Sequence, residues 1–219
     1  MDRTIKNHWE TVYGTKRPDQ LSWTQEVPKT SLDFIHSFNL VKTAKIIDIG
    51  GGDSKLVDCL LDEGFENITV LDISGKALDK AKQRLGNRAG KIKWVESDIT
   101  EFKPDTIFDV WHDRATFHFL TTSKQVATYV ETARNSVSGF LTISTFSDNG
   151  PKKCSGLDVR QYSEEALSKE LENGFTKIRC IEDNHTTPFD TAQFFLFCSF
   201  KRLDQSKRPS ADSVSWPFY

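Results

Sequence analysis

Apolar positions along this chain change their period several times, and each change marks an element. Ile5, Trp9, Val12 and Tyr13 recur at helical spacing and predict an amphipathic helix that Gly14 ends. The stretch GTKRPDQLSWTQEVP is polar and punctuated by proline, and Pro28 opens a second helix through Phe34, Ile35 and Phe38. From Ala44 short apolar runs alternate with helix-length segments. AKIIDI reads as a buried strand, followed by a helix with Leu56, Val57, Leu60 and Leu61 on one face and Gly64 as its stop. NITVLDI is the second strand; Ser74 then caps a helix with Ala77, Leu78, Ala81 and Leu85 inward, ended by Gly86. KIKWVE and TIFDVWH are the third and fourth strands. Thr122 and Gln125 form a capping box for a helix with Val126, Tyr129, Val130 and Ala133 inward, and GFLTISTF is the fifth strand.

Strands joined by helices imply right-handed crossovers and a parallel sheet covered on both faces. After the loop SDNGPKKCSGLDVRQ, Leu167 and Leu171 mark one more helix, stopped by Gly174. FTKIRCIED and AQFFLFCSF are then separated only by NHTTPFDT, too short for a helical crossover, so they pair antiparallel as a hairpin at the sheet edge. The expected fold is α/β and Rossmann-like: a seven-stranded, mostly parallel sheet with an antiparallel C-terminal hairpin and an N-terminal helical lid. As one domain, 1–219 divides into a lid (1–40), a core (41–202) and a tail (203–219) expected to be a mobile extension.

Composition narrows the function. With 219 residues, 37% of them hydrophobic and 27% charged, the chain can build a full core and is too apolar for disorder. Twenty-nine basic against 31 acidic residues give a net charge of -2, which removes the electrostatic case for a nucleic-acid or anionic-membrane partner. The four cysteines (Cys59, Cys154, Cys180, Cys198) include no close pair, so a reduced chain is expected. MDRTIKNHWETVY lacks the basic-then-apolar order of a signal peptide and no run reaches membrane-span length, so the expected location is cytoplasmic. A monomer or weak dimer is expected.

The chemistry gathers at the carboxyl ends of the strands, where open parallel sheets hold their ligands. Ile47-Asp48-Ile49-Gly50-Gly51-Gly52-Asp53-Ser54 joins the first strand to its helix; it is either a tight structural turn or a place for a ligand to approach backbone and helix N–H groups. Asp72 ends the second strand, 24 positions after Asp48, and is either a helix cap or an acceptor for a ribose diol. Asp98 and Ile99 end the third, where a carboxylate can accept from an adenine amine while Ile99 packs on the ring. Three such features at successive strand ends indicate an adenosine ligand. The dinucleotide pattern G-x-G-x-x-G fails at Lys55, the P-loop is absent, and Asp53 disfavours a polyphosphate; a ligand with a cationic amine and sulfonium suits this loop.

IIDIGGGDS, VLDIS and SDIT together resemble the cofactor motifs of the class I S-adenosylmethionine-dependent methyltransferases, over about Ala44 to Arg202. The resemblance implies S-adenosyl-L-methionine as cofactor, with Asp48, Gly50 and Gly52 at its methionyl part, Asp72 and Ile73 at the ribose, and Asp98 and Ile99 at adenine. VWHDRATFHFLT and GPKKCSGLDVRQYSEEAL further resemble the thiopurine methyltransferase-like small-molecule group, although His112 is inserted and Ala115 replaces a glycine. That likeness places Arg114 near the acceptor and Trp23 over the cofactor; the expected site also includes His112 beside the cofactor and Phe117 and Phe146 near the acceptor, at the ligand-bearing ends of the fourth and fifth strands. HWETVY and DRATF also resemble segments of lysine methyltransferases that modify translation factors, with His118 where those carry an aspartate. The expected function is methyl transfer to a small-molecule thiol, chalcogen or hydroxyl by in-line displacement. The alternatives are protein lysine methylation and a non-catalytic cofactor-binding subunit. His112 or His118 is the candidate base. Cys154 is a candidate reactive thiol, the alternative being an inert one, and no metal site is expected.

Overall fold

The computed structural model describes residues 3–204. Five parallel strands, β1 (Lys45–Ile49), β2 (Asn67–Asp72), β3 (Ile92–Glu96), β4 (Phe108–Arg114) and β5 (Val137–Phe146), are followed by a two-residue pair, β6 (Lys153–Cys154) and β7 (Leu157–Asp158), and by β8 (Phe175–Thr186) and β9 (Ala192–Arg202). The main sheet has seven strands in the order β3-β2-β1-β4-β5-β9-β8, with β9 antiparallel to both β5 and β8. The predicted sheet is thus observed, hairpin included. Among the described residues six α-helices accompany it: α1 (Arg3–Thr15), α2 (Lys29–His36), α3 (Leu56–Asp62), α4 (Gly75–Leu85), α5 (Ser123–Ser136) and α6 (Glu164–Leu171).

Strand alternation sorts the core into two layers. On β1, Ile47 and Ile49 join the layer under α5 and α6, whereas Ile46 joins the layer under α2, α3 and α4. Each fully buried Leu or Ile in these layers contributes roughly 1.5–3 kcal/mol by leaving water. Local signals set the helix ends: the Ser74 hydroxyl accepts from the Ala77 amide at 3.2 Å, and Thr122 and Gln125 form the predicted capping box.

Four features depart from the sequence expectations. Helix α1 runs through Gly14 to Thr15, because a single glycine costs a helix only about 1 kcal/mol. Helix α2, expected as part of the lid, is packed into the core: Phe34 and Ile35 are wholly buried, and Phe38 stacks on Phe140 with centroids 4.2 Å apart. Strand β4 continues two residues past His112, which places Asp113 and Arg114 on the sheet. Cys180 and Cys198, opposite each other on β8 and β9, form a disulfide where reduced thiols were expected. The expected tail lies, from residue 205, outside the described residues. Among the described residues no helix is long and apolar enough to cross a membrane.

Candidate active site

Strand order reverses between β1 and β4, and a cavity of about 980 Å³ opens at their carboxyl ends. That is near the top of the roughly 300–1,000 Å³ range of ligand pockets, which leaves room for a second reactant beside a nucleoside. Its wall includes Gly50, Asp72, Ile73, Asp98 and Ile99 on one side and Trp23, His112, Arg114, Phe146, Cys154 and Phe195 on the other.

The glycines on the first side answer to protein neighbours as much as to a ligand. Gly50 has φ +64°, and a Cβ there would stand 1.8 Å from the Thr116 hydroxyl. At Gly52, φ +46°, a Cβ would meet the Asp72 carboxylate at 2.9 Å and the Tyr13 hydroxyl at 3.0 Å; Gly52 itself is not among the lining residues. Asp72 Oδ1 accepts from the Ser74 amide at 2.8 Å, and burial pushes its carboxyl up to about 7. Asp98 Oδ1 accepts from the Thr100 amide and hydroxyl, both at 2.8 Å, so it also holds its own turn. Among the described residues neither carboxylate has a cationic partner, and a ribose diol and an exocyclic amine would supply the donors they lack. The residues therefore fit the cofactor. Asp53 does not act as expected: Arg84 takes its carboxylate and also binds Asp58, so the loop carries little free charge.

On the second side Asp48 and His112 are neighbours by sheet register, and His112 Nδ1 donates to Asp48 Oδ1 at 2.7 Å. Both are buried, and His112 Nε2 has no protein partner. A carboxylate thus holds one ring nitrogen and leaves the other without a protein partner among the described residues. Two residues on, and so on the same face of β4, Arg114 Nη1 donates to the Trp23 carbonyl at 2.9 Å while Nε has no partner. Burial pulls its guanidinium down to about 10. The Cys154 thiol is pushed up to about 12 by burial, so it is a neutral thiol near pH 7. Trp9, Tyr13, Trp23 and Phe119 form a contiguous aromatic wall with centroids 5.2–6.2 Å apart. In the sequence Trp9 and Tyr13 stood out as part of the apolar stripe of α1 and of the HWETVY segment, not as a wall of this cavity.

Two candidates stand behind this wall. His118 is wholly buried off the cavity, its Nδ1 accepts from the Phe146 amide at 3.3 Å, and burial lowers its imidazole to about 3. It stays neutral and packs against Phe146. Phe117 is core, in contact with Tyr129 and Tyr162. Asp113 does not pair with Arg114. It points to the opposite face, where Oδ1 accepts from the Thr116 and Phe117 amides at 2.8 and 3.2 Å and Oδ2 from the Tyr129 hydroxyl at 2.7 Å. Burial raises its carboxyl to about 6. Among the described residues no three His, Cys, Asp or Glu side chains group as metal ligands.

Comparison with known proteins agrees with this geometry. Residues 46–139 match the family described as a methyltransferase domain. Over 123 residues the chain is 26% identical to the eEF1A lysine and N-terminal methyltransferase of Mus musculus, covering 56% of this chain and 17% of that protein. Over 104 residues it is 36% identical to the malonyl-[acyl-carrier protein] O-methyltransferase of Anoxybacillus flavithermus, covering 47% of this chain and 39% of that one. It thus matches well under half the length of either relative. The crystal structure of N-methyltransferase NodS from Bradyrhizobium japonicum, in complex with S-adenosyl-L-homocysteine, superposes with a TM-score of 0.70 at 16% identity, over 93% of this chain and 100% of that one. Residues 46–139 thus match a methyltransferase domain, and the sheet order and the strand-end cavity agree with that match.

Proposed function

We propose that the protein transfers a methyl group from S-adenosyl-L-methionine to a small-molecule nucleophile, a thiol, chalcogen or hydroxyl, by in-line displacement. Of the groups weighed above, the thiopurine methyltransferase-like one is nearest in pattern. The observation that carries this reading is the buried Asp48–His112 pair on the wall of the same cavity as Asp72 and Asp98. The cofactor, when bound, supplies the electrophilic methyl group. Asp72, Ile73, Asp98 and Ile99 hold the nucleoside, and Trp23 with Trp9 and Phe119 excludes water. His112 Nε2 takes the acceptor's proton as the nucleophile attacks, and Asp48 fixes the tautomer that leaves Nε2 free. The lid reduces to the segment before α2. The protein would act as a single-domain cytoplasmic enzyme, monomeric or weakly dimeric.

A second reading, methylation of a protein lysine, draws on the name of the mouse relative. Labelled methyl transfer to a metabolite extract and to native and denatured proteome fractions separates the two. Label is expected in a small molecule, and His112→Ala should lower that transfer by about 10²–10⁴-fold. Label only in protein supports the lysine reading. Cofactor binding without transfer to either fraction supports the non-catalytic subunit.

A further inference from the structure

We propose that the acceptor is a small carboxylate: an anionic molecule whose carboxylate sits on Arg114 and whose nucleophilic atom lies about 6–7 Å away, at His112. This deepens the methyl-transfer reading and depends on it. The guanidinium lines the cavity and forms no ion pair with any carboxylate among the described residues. The acids whose charge it feels are committed elsewhere: Asp48 to His112, and Asp183 to the Thr30 hydroxyl at 3.0 Å. Cys154, the remaining ionisable group acting on it, is a neutral thiol. A permanently charged group so far removed from water is costly unless an anion completes it.

The arrangement also selects the shape of that anion. Nη1 is used by the Trp23 carbonyl, whereas Nε is buried with no acceptor among the described residues, so the edge formed by Nε and Nη2 is the one the protein leaves incomplete. Two parallel donors on one edge match the two oxygens of a carboxylate. The Phe195 ring lies 5.4 Å from the guanidinium, and Trp23, Phe119 and Phe146 also line this part of the cavity. They favour an apolar or flat body behind the carboxylate. His112 and Arg114 are alternate residues of one strand, and the strand rise of about 3.3 Å per residue sets the spacing between proton acceptor and anion anchor. An ammonium acceptor would bring a like charge to a guanidinium already poorly solvated, which disfavours lysine in this chamber.

The test uses calorimetry on the full-length protein loaded with S-adenosyl-L-homocysteine. The probes are phenylacetate, 3-phenylpropionate and 4-phenylbutyrate, each beside its neutral amide. At least one acid is expected to bind about tenfold or more tighter than its amide. In Arg114→Gln that preference should vanish while cofactor-product affinity stays within about threefold, and Arg114→Lys should keep part of it. If Arg114→Gln does not fold, the comparison of acid with amide on the parent decides. Equal binding of acids and amides, or no binding of any acid to the loaded protein, overturns the proposal. So does loss of S-adenosyl-L-homocysteine affinity in folded Arg114→Gln, because the guanidinium would then hold the methionyl carboxylate. Failure of the parent to bind S-adenosyl-L-homocysteine at all is a different result and removes the methyl-transfer reading itself.

Discussion

Burial gives Asp72 two opposed roles. Its carboxyl titrates at about 7 in the folded protein, against about 3.9 in an unfolded chain. The folded state therefore holds the proton more tightly, and the stability of the ligand-free protein falls as pH rises from about 4 to about 7. Asp72→Asn should raise stability by about 1–3 kcal/mol at pH 8 and by little at pH 4, as read from urea titrations. The same change should weaken S-adenosyl-L-homocysteine binding by about 1.5–3 kcal/mol, since an amide replaces a charged acceptor for the ribose hydroxyls. A variant that is neither more stable nor weaker in binding would show Asp72 to be a helix cap only. Ala115 poses a simpler case. It sits at φ +74°, where a Cβ is strained, which accounts for the glycine in the family pattern it resembles. Ala115→Gly should gain about 0.5–1 kcal/mol in the same titrations, the relief exceeding the extra freedom of the unfolded chain.

At the scale of the element, the end of β4 sends alternate side chains to two tasks. His112 and Arg114 face the cavity, while Asp113 faces α5 and anchors the 3-10 turn Phe117–Phe119 through two amides and the Tyr129 hydroxyl. Tyr129 in turn accepts from Trp111 Nε1 at 2.8 Å. Asp113→Ala should therefore cost about 2–4 kcal/mol, leaving three buried donors unpaired, whereas Arg114→Lys should leave thermal stability nearly unchanged. An ion pair between the two would instead make Arg114→Gln as destabilising as Asp113→Ala. The strands were legible because an apolar run closed by glycine or an acid is a local signal, as in AKIIDIGGG and NITVLDIS. The Asp48–His112 pair was not, because it depends on which residues of two strands 64 positions apart come to lie side by side. Nor could the reading of Asp53 as a free charge foresee Arg84, 31 positions on and brought back by α4. His118 looked like a base because two histidines six positions apart carry no mark of which will be buried off the cavity.

At the scale of the molecule, the acceptor chamber is assembled from segments that no single motif spans: Trp9 to Trp23, the end of β4, Cys154, and Gln193 with Phe195 on the C-terminal hairpin. The hairpin is cross-linked at Cys180–Cys198, a separation of 18 residues. Closing such a loop is worth about 3 kcal/mol in the chain-entropy picture, so reduction or Cys180→Ser should lower the denaturation midpoint. Cofactor-product affinity should not move, because the hairpin contributes no residue to the nucleoside side.

The two sides of the cavity nonetheless meet at one point. Thr116, in the loop after β4, donates from its hydroxyl to the Ile49 carbonyl at 3.2 Å and fills the space above Gly50 so closely that a methyl group cannot enter. The loop after β1 and the loop after β4 are thus in direct contact. Under the proposed function, occupancy of one half of the cavity is expected to change affinity in the other. Whatever factor S-adenosyl-L-homocysteine changes in the affinity for a carboxylate probe, the probe must change in the affinity for S-adenosyl-L-homocysteine, and enlarging Thr116 or trimming it to alanine should alter both factors equally.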